Sequence, residues 1–287
     1  MENVENMSLK EKCYAYQHEA NYFLDEDKYI IAHIDGRSFS TMIKNKFERP
    51  FDKIFIDAMN RTAAWLCTQV CGCIFAYVQS DEITLIIRKN TDQSNVFFNA
   101  RGCKMQSIIA SMATCKFNQI MMLNSLNGIK PIINPINPII NPYDLLNNVK
   151  ECIENHPLYQ FDCKVWNVDT ANDAMAWILF RNIDCVRNSK QQTAQTYITH
   201  NRLLNMSADA QIELLKNEQG IDWYSFDDGM KYGRFIKHID KSFEYNGITF
   251  IRHVWEPIAG CDLTNQDNRN NLATELNIID PFDDITN

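Results

Sequence analysis

The apolar, β-branched run Tyr29-Ile-Ile-Ala-His-Ile34 stops at Asp35-Gly36, which predicts a buried strand closed by a turn. After a polar loop, Pro50-Phe51-Asp52 opens a helix on which Phe55, Ala58, Met59, Thr62, Trp65 and Leu66 recur at helical spacing. Cys73-Ile-Phe-Ala-Tyr-Val78 and Ile83-Thr-Leu-Ile-Ile87 predict two strands, joined as a hairpin by Gln79-Ser80-Asp81-Glu82. A second amphipathic helix is expected from Ala100 to Phe117, with Met105, Ile108, Ile109 and Met112 on one face. Phe161-Asp-Cys-Lys-Val-Trp166 supplies a fourth strand. The order strand, helix, strand, strand, helix, strand is the split β-α-β arrangement of ferredoxin-like domains. The fold class is therefore α+β, an antiparallel βαββαβ sheet with helices on one face.

Between the second helix and the fourth strand the pattern breaks. Residues 124–156 carry a short imperfect Asn-Pro repeat, Pro131 to Pro142, and proline removes donors and restricts its predecessor. A surface insertion of irregular or extended structure is expected there. Beyond the fourth strand, Thr170 and Asp173 form the spacing of a helix-opening cap, and the helix should run through Trp177 toward Asn188. A further helix fits Ser207 to Leu215, ending near Gly220. Asn246-Gly247, between two apolar-alternating segments, signals a type I′ hairpin. The stretch from Asp262 to Asn287 is acidic, poor in periodicity and expected to be loose.

The 287 residues, 45% apolar and 22% charged, suffice for a real core in one or two domains. We divide them into a catalytic domain at 1–168, a helical and hairpin region at 169–260, and an acidic tail at 261–287. No apolar run approaches the roughly 20 residues needed to cross a bilayer. The segment Met1 to Lys12 lacks a signal peptide's apolar stretch, so a cytoplasmic location and no membrane contact are expected. Ten scattered cysteines without a Cys-x-x-Cys pair are expected to be buried free thiols rather than a zinc site. The net charge of −8 argues against a broad basic surface, so any nucleic-acid grip must be local or shared between subunits.

Topology brings two distant segments together. The first two strands of a split β-α-β unit run parallel, so Asp35 and the Ser80-Asp81-Glu82 tip share one sheet edge. Carboxylates held close repel unless a cation lies between them, and oxygen donors suit Mg²⁺. Two such ions bridged by Asp35 and Asp81 would activate a hydroxyl and stabilise a leaving pyrophosphate. Gly36 has no side chain to keep its carbonyl from a ligand. Taken singly, Asp-Gly is a turn and Ser-Asp-Glu a solvated tip. Their shared edge is what points to catalysis.

Ile34-Asp-Gly-Arg-Ser-Phe39, Pro50-Phe-Asp52, Ala58-Met59, Thr62-Ala63, Leu66-Cys67 and Ala76-Tyr-Val-Gln-Ser-Asp-Glu-Ile83 resemble the tRNA(His) guanylyltransferase family. Gln106 to Thr114, Phe117-Asn118, Arg181-Asn-Ile-Asp-Cys-Val-Arg-Asn188 and Lys231-Tyr-Gly233 fit the same pattern. The resemblance covers most of residues 9–240 and is nearest the family's 3′–5′ tRNA-repair polymerases. Where single-G-adding members carry His-Ile-Asn-Asn, this chain has Val186-Arg-Asn-Ser189, and the repair branch carries Arg-Asn there.

The resemblance implies a polymerase-like palm and a nucleotidyltransferase running 3′ to 5′. The 3′-hydroxyl of a nucleoside triphosphate (GTP, ATP) attacks an activated tRNA 5′ end. By the same analogy Asp35, the Gly36 carbonyl and Asp81 bind two Mg²⁺ ions, with Glu82 supporting. Arg37, Ser38, Phe39 and Ser40 cradle a triphosphate, and Arg49, Asp52, Ser80 and Lys231 handle nucleotide or 5′-end phosphates. The bland alternative for Arg49 and Lys231 is an exposed surface charge, and for Asp52 an acid suited to a helix's first turn.

Arg187 and Asn188 are candidates for tRNA contact, or part of an internal pair with Asp184. The basic run Lys231, Arg234, Lys237 and His238 around Tyr232 and Phe235 can meet tRNA phosphates, or form a solvated strand face. A homotetramer, a dimer of dimers, is implied by resemblance. The alternatives are a strict single-G transferase, a palm-type nucleotidyl cyclase, and a non-catalytic RNA-binding protein on the same fold.

Overall fold

The computed structural model describes residues 8–19, 21–42, 47–89, 94–127, 142–245 and 248–276. In chain order the elements are α1 (Leu9–Glu19), β1 (Tyr29–Gly36), α2 (Phe39–Met42), α3 (Lys53–Gln69), β2 (Cys73–Gln79), β3 (Glu82–Ile87), α4 (Gly102–Asn127), α5 (Pro142–Glu154) and β4 (Phe161–Val168). They continue with α6 (Ala171–Tyr197), α7 (His200–Leu203), α8 (Ala208–Gln219), α9 (Asp228–Lys231), β5 (Arg234–Tyr245), β6 (Ile248–Ala259) and α10 (Gln266–Glu275).

One sheet runs β4-β1-β3-β2-β5-β6, with every pairing antiparallel. Its first four strands have the expected split β-α-β order, and the hairpin strand β5 extends the sheet beside β2. Only Arg234–Ile236 of β5 reach β2, opposite Val78–Ala76. The Asn246-Gly247 link lies outside the described residues, though Tyr245 and Ile248 are paired across it.

The sheet is buried on both faces, which is why β1 lacks a polar-apolar alternation. Ile30, Ala32 and Ile34 meet Ala58, Met59 and Leu66 of α3 and Met105, Ile109 and Phe117 of α4. Ile31, Phe75 and Tyr77 point the other way, onto Ala174, Met175 and Ile178 of α6. Each fully buried Ile, Leu, Met or Phe among them contributes about 1.5–3 kcal/mol. The palm helices thus share one face as expected, and the C-terminal helix α6 covers the other.

Caps fix the helix starts. Asp52 opens α3, its Oδ1 accepting from Phe55 N at 2.8 Å. Thr170 and Asp173 exchange bonds of 3.0 and 3.1 Å at the start of α6. Gly220 ends α8 with φ +69.

Four expectations need correction. The free thiols are not all buried: Cys67, Cys163 and Cys185 are, whereas Cys13 on α1, Cys115 on α4 and Cys71 in the turn before β2 are exposed. The insertion is not irregular throughout, because α4 runs on to Asn127 and Pro142 begins α5; proline suits a helix's first turn, where its missing donor costs nothing. Residues 128–141, with most of the Asn-Pro repeat, lie outside the described residues. Helix α6 passes Asn188 by nine residues to Tyr197, because Ala194 closes a small core with Leu203 and Leu215. The tail is not loose over its first part: Leu263, Leu272 and Ala273 are buried against the α6 face, and α10 carries two of them. The helix α1 had no anticipated counterpart.

Candidate active site

Because β1 and β2 both run antiparallel to β3, they are parallel to each other and end at one sheet edge. Asp35, next to last in β1, lies in register with Glu82, the first residue of β3. Ser80 and Asp81 make the two-residue turn between β2 and β3, with Ser80 in the left-handed region at φ +44. Ser80 Oγ donates to Asp81 Oδ1 at 2.9 Å, fixing the carboxylate that follows it.

Gly36 explains how close the two segments come. A Cβ there would lie 2.7 Å from Asp81 Oδ2 and 2.5 Å from the Phe39 ring. Only a bare backbone lets the Asp81 carboxylate settle against the end of β1. Phe39, buried among Phe55, Phe117, Tyr159 and Phe161, anchors the loop that follows Asp35.

The three acids at this edge differ in their partners. Glu82 receives Arg181 Nε at 2.9 Å and Nη2 at 2.6 Å, with Gln79 Nε2 at 2.7 Å. Asp35 and Asp81 are in no ion pair among the described residues. Burial pushes the Asp81 carboxyl up to about 6, with the charges of Asp35 and Glu82 adding to it. Asp35 is raised as well, by burial first and then by Glu82. His33, 3.9 Å from Glu82, is held neutral because burial and then Arg181 lower it to about 4, so among the described residues Arg181 alone is the counter-ion of Glu82.

Two unpaired, partly desolvated carboxylates, all-oxygen donors, and a glycine beside them suit a hard divalent cation. No larger cage competes for that role: among the described residues no three His, Cys, Asp or Glu side chains converge as metal ligands. Cys163 and Cys185, raised by burial to about 12 and about 11, stay protonated thiols.

The pair opens on a cleft of about 490 Å³. Of the residues singled out in the sequence, Asp35, Gly36, Ser38, Phe39, Arg49, Asp52, Ser80, Asp81, Asn188 and Arg234 line it. Asp52 has both oxygens engaged, by Phe55 N and by Glu48 N at 2.9 Å. Glu82 stands behind the pair, facing α6. Arg37 turns to a separate groove and donates to Gln160 at 3.0 Å. The Ser40 side chain lies outside the described residues.

Lys231 is not brought to the cleft: it is 7% exposed, donates to the Tyr224 carbonyl at 3.0 Å and pairs with Asp228 at 2.9 Å. The rings of Trp223 and Tyr232 cover its ammonium. It is therefore neither the exposed charge nor the free phosphate ligand that sequence allowed. Arg187 pairs with Asp184 at 2.7 Å, and Lys237 with Glu275.

Sequence reasoning missed the wall that α6 contributes. Gln192 and Gln195 line the cleft beside Asn188, at spacings of four and three that share one helix face. Gln192 Nε2 donates to the Pro50 carbonyl at 2.6 Å and ties that wall to the loop before α3. The signal was the continued helical spacing of polar residues past Asn188. Arg181 sat inside a quoted motif without a role.

Among the described residues no helix is long and apolar enough to cross a membrane. An uncharacterised protein of Acanthamoeba polyphaga mimivirus is 25% identical over 82% of this chain and 78% of its own length. The tRNA(His) guanylyltransferase of Debaryomyces hansenii is 24% identical over 78% of each chain. Among solved structures, a bacterial tRNA(His) guanylyltransferase-like protein in complex with ATP shares the fold, with a TM-score of 0.69 and 24% identity. That alignment covers 90% of this chain and 95% of the other. The family described as tRNAHis guanylyltransferase matches residues 12–168, more than half of the sequence and the whole of the sheet edge that carries Asp35 and Asp81. The chain belongs to the tRNA(His) guanylyltransferase family and is a nucleotidyltransferase.

Proposed function

We propose that this nucleotidyltransferase, whose family adds nucleotides at the tRNA 5′ end, is a templated 5′-end repair enzyme working 3′ to 5′. The observation that carries the reading is the pair Asp35 and Asp81, unpaired and facing one cleft, while Glu82 beside them is neutralised by Arg181. Asp35, the Gly36 carbonyl and Asp81 would hold two Mg²⁺, which supply activation of the attacking 3′-hydroxyl and charge relief at the leaving group.

The chain's own residues do the positioning. Ser80 orients Asp81, and the Arg181–Glu82 pair braces the strand start behind it. The backbone from Ser38 to Ser40 faces the triphosphate, with Arg49 at the rim for phosphate oxygens, while Arg37 is left out because its amide and its guanidinium both donate to Gln160. Asn188, Gln192 and Gln195 offer amides, each both donor and acceptor, to the sugar or base of the incoming nucleotide. Because amides fit more than one base edge, the opposing RNA strand is left to choose the base. In this reading the 1–168 domain supplies the carboxylates and the 169–260 region the wall that faces them.

The Arg187-Asn188 pair, shared with the repair branch, supports repair over single-G addition. ATP, named in the fold neighbour's complex, fits the expected triphosphate substrates. Assembly as a homotetramer and a cytoplasmic location complete the proposal; ten unpaired cysteines agree with a reducing compartment.

The test is an extension assay with Mg²⁺, all four triphosphates, and tRNA(His) or a tRNA lacking its first nucleotide, each bearing a 5′-monophosphate or triphosphate. Addition that follows the opposing strand, on the truncated tRNA, is the expected result. One G added to tRNA(His) regardless of pairing would assign the strict transferase instead. No product on any tRNA would overturn the reading and make cyclic-nucleotide formation the next assay.

A further inference from the structure

Arg234 begins β5 in register with Val78, two residues before Ser80 in β2. By strand alternation it points to the same side as Ile236, toward α3 and the helical core. There it is only 8% exposed, yet it lines the cleft that Asp35 and Asp81 share.

Its guanidinium is incompletely satisfied. Nε donates to Asn60 Oδ1 at 2.9 Å and Nη1 to the Gly229 carbonyl at 3.1 Å, while Nη2 has no acceptor among the described residues. Among the described residues no carboxylate pairs with it. Asp227, the acid acting on it through space, accepts from Gly229 N at 2.8 Å instead. The backbone is fitted around the group: a Cβ on Gly229 would lie 3.3 Å from Arg234 Cδ. An arginine stays charged in proteins, and a buried cation without an anion is costly. Burial accordingly pulls its pKa down. Lys231, by contrast, is capped by Asp228 and by aromatic rings. The two neighbouring cations of one short segment are thus treated in opposite ways.

We propose that Arg234 is a phosphate-binding residue inside the cleft, its free Nη2 completing a fork on a phosphoryl group held opposite the Asp35–Asp81 pair. This moves Arg234 from an external tRNA contact to the reaction cleft. The ligand's identity rests on the nucleotide-transfer reading, but the anion site itself does not. A planar fork matches phosphate oxygens in a way that the point charge of lysine does not. The phosphoryl group has two sources, the polyphosphate of a nucleoside triphosphate or the 5′-phosphate of the RNA.

The experiment measures binding without turnover, in EDTA, for wild type, Arg234→Met, Arg234→Lys and the surface control Arg202→Met. Inorganic tripolyphosphate is one probe. Truncated tRNA with a 5′-phosphate against the same tRNA with a 5′-hydroxyl is the other. Arg234→Met should fold with a Tm at or above wild type, because it removes an uncompensated buried charge. It should bind the phosphoryl probe about 30-fold more weakly, the loss expected for a charged hydrogen bond. Arg234→Lys should fall between, and Arg202→Met should match wild type. Loss confined to tripolyphosphate assigns the triphosphate; loss of the preference for 5′-phosphate assigns the RNA end.

Unchanged binding of both probes by Arg234→Met overturns the proposal, as does a wild type that binds tripolyphosphate no better than chloride and ignores the 5′-phosphate. If Arg234→Met does not fold, Arg234→Lys decides, with wild-type affinity overturning the proposal. A wild type that binds through Arg234 yet extends no tRNA would leave this inference standing and the proposed function overturned.

Discussion

Arg181 grips Glu82 with two nitrogens, Nη2 2.6 Å from Oε1 and Nε 2.9 Å from Oε2, and a third nitrogen holds Asp184 Oδ2 at 2.7 Å. The pair is 12% and 19% exposed at its side chains. It separates one acid from the other two at the sheet edge and fastens α6 to the start of β3. Removing one partner leaves a buried charge alone, so Arg181→Met should cost about 3 kcal/mol of stability. The double variant Arg181→Met/Glu82→Gln should recover most of that loss in a denaturant titration. Catalysis should fall in kcat more than in KM for the triphosphate, since neither residue lines the cleft.

Asp81 works against the fold that holds it. Its pKa in the folded protein is raised from an ordinary 3.8 to about 6, so ionising it costs stability that protonation restores. The cost is absent below about pH 4, grows through the interval to about pH 6, and is constant above it. Two pKa steps correspond to about 3 kcal/mol. In EDTA, Asp81→Asn should therefore raise the Tm at pH 7.5 and lose that advantage at pH 4. Mg²⁺ should stabilise wild type and leave the variant unmoved. Equal Tm curves across this range would contradict the burial argument.

His33 should have the opposite pH signature. It is lowered from 6.5 to about 4, so the folded protein refuses a proton that the unfolded chain accepts. Its contribution is present above about pH 6.5 and is lost as pH falls toward 4. The two groups oppose one another between pH 4 and 6, and the wild-type apoprotein should show a shallow dependence there. His33→Gln should unmask a rise in stability on acidification over that interval, measured by thermal unfolding in EDTA.

Gly36→Ala tests the close approach. The added carbon would sit 2.7 Å from Asp81 Oδ2 and 2.5 Å from Phe39, so the carboxylate or the ring must move. Overpacking of this kind costs about 1–3 kcal/mol, and the displaced carboxylate should lower nucleotide addition by about 100-fold. Near-normal turnover in a folded Gly36→Ala would show that Asp81 acts from another position.

The carboxylate edge was legible because a strand period, a two-residue turn and a topological rule converge on Asp35, Gly36 and Asp81. The Thr170–Asp173 cap and the strand pairing that ends at Tyr245 and Ile248 were legible for the same reason, each being a local signal with a local cause. What escaped depends on partners far along the chain. Helix α6 hides its length because it buries Ser189 and Thr193 rather than Leu or Ile, and turns Gln192 and Gln195 to the cleft. Lys231 and Arg234 look alike in sequence, and only Trp223 and Asp228 beside the one, and Asn60 beside the other, give them different fates. The helix α10 escaped because its buried side includes Arg269, whose Nη1 donates to the Leu263 and Thr264 carbonyls at 2.7 and 2.9 Å.

The measurement that bears most directly on the central claim is the rate at which wild type and Asp81→Asn add a labelled nucleotide, with Mg²⁺, to a 5′-triphosphorylated tRNA lacking its first residue. Wild type should add the nucleotide complementary to the opposing strand. A folded Asp81→Asn should be slower by about 10³-fold, the scale of losing a metal-held transition state. An Asp81→Asn protein that adds nucleotides at the wild-type rate, or a wild type that adds none, would contradict the account.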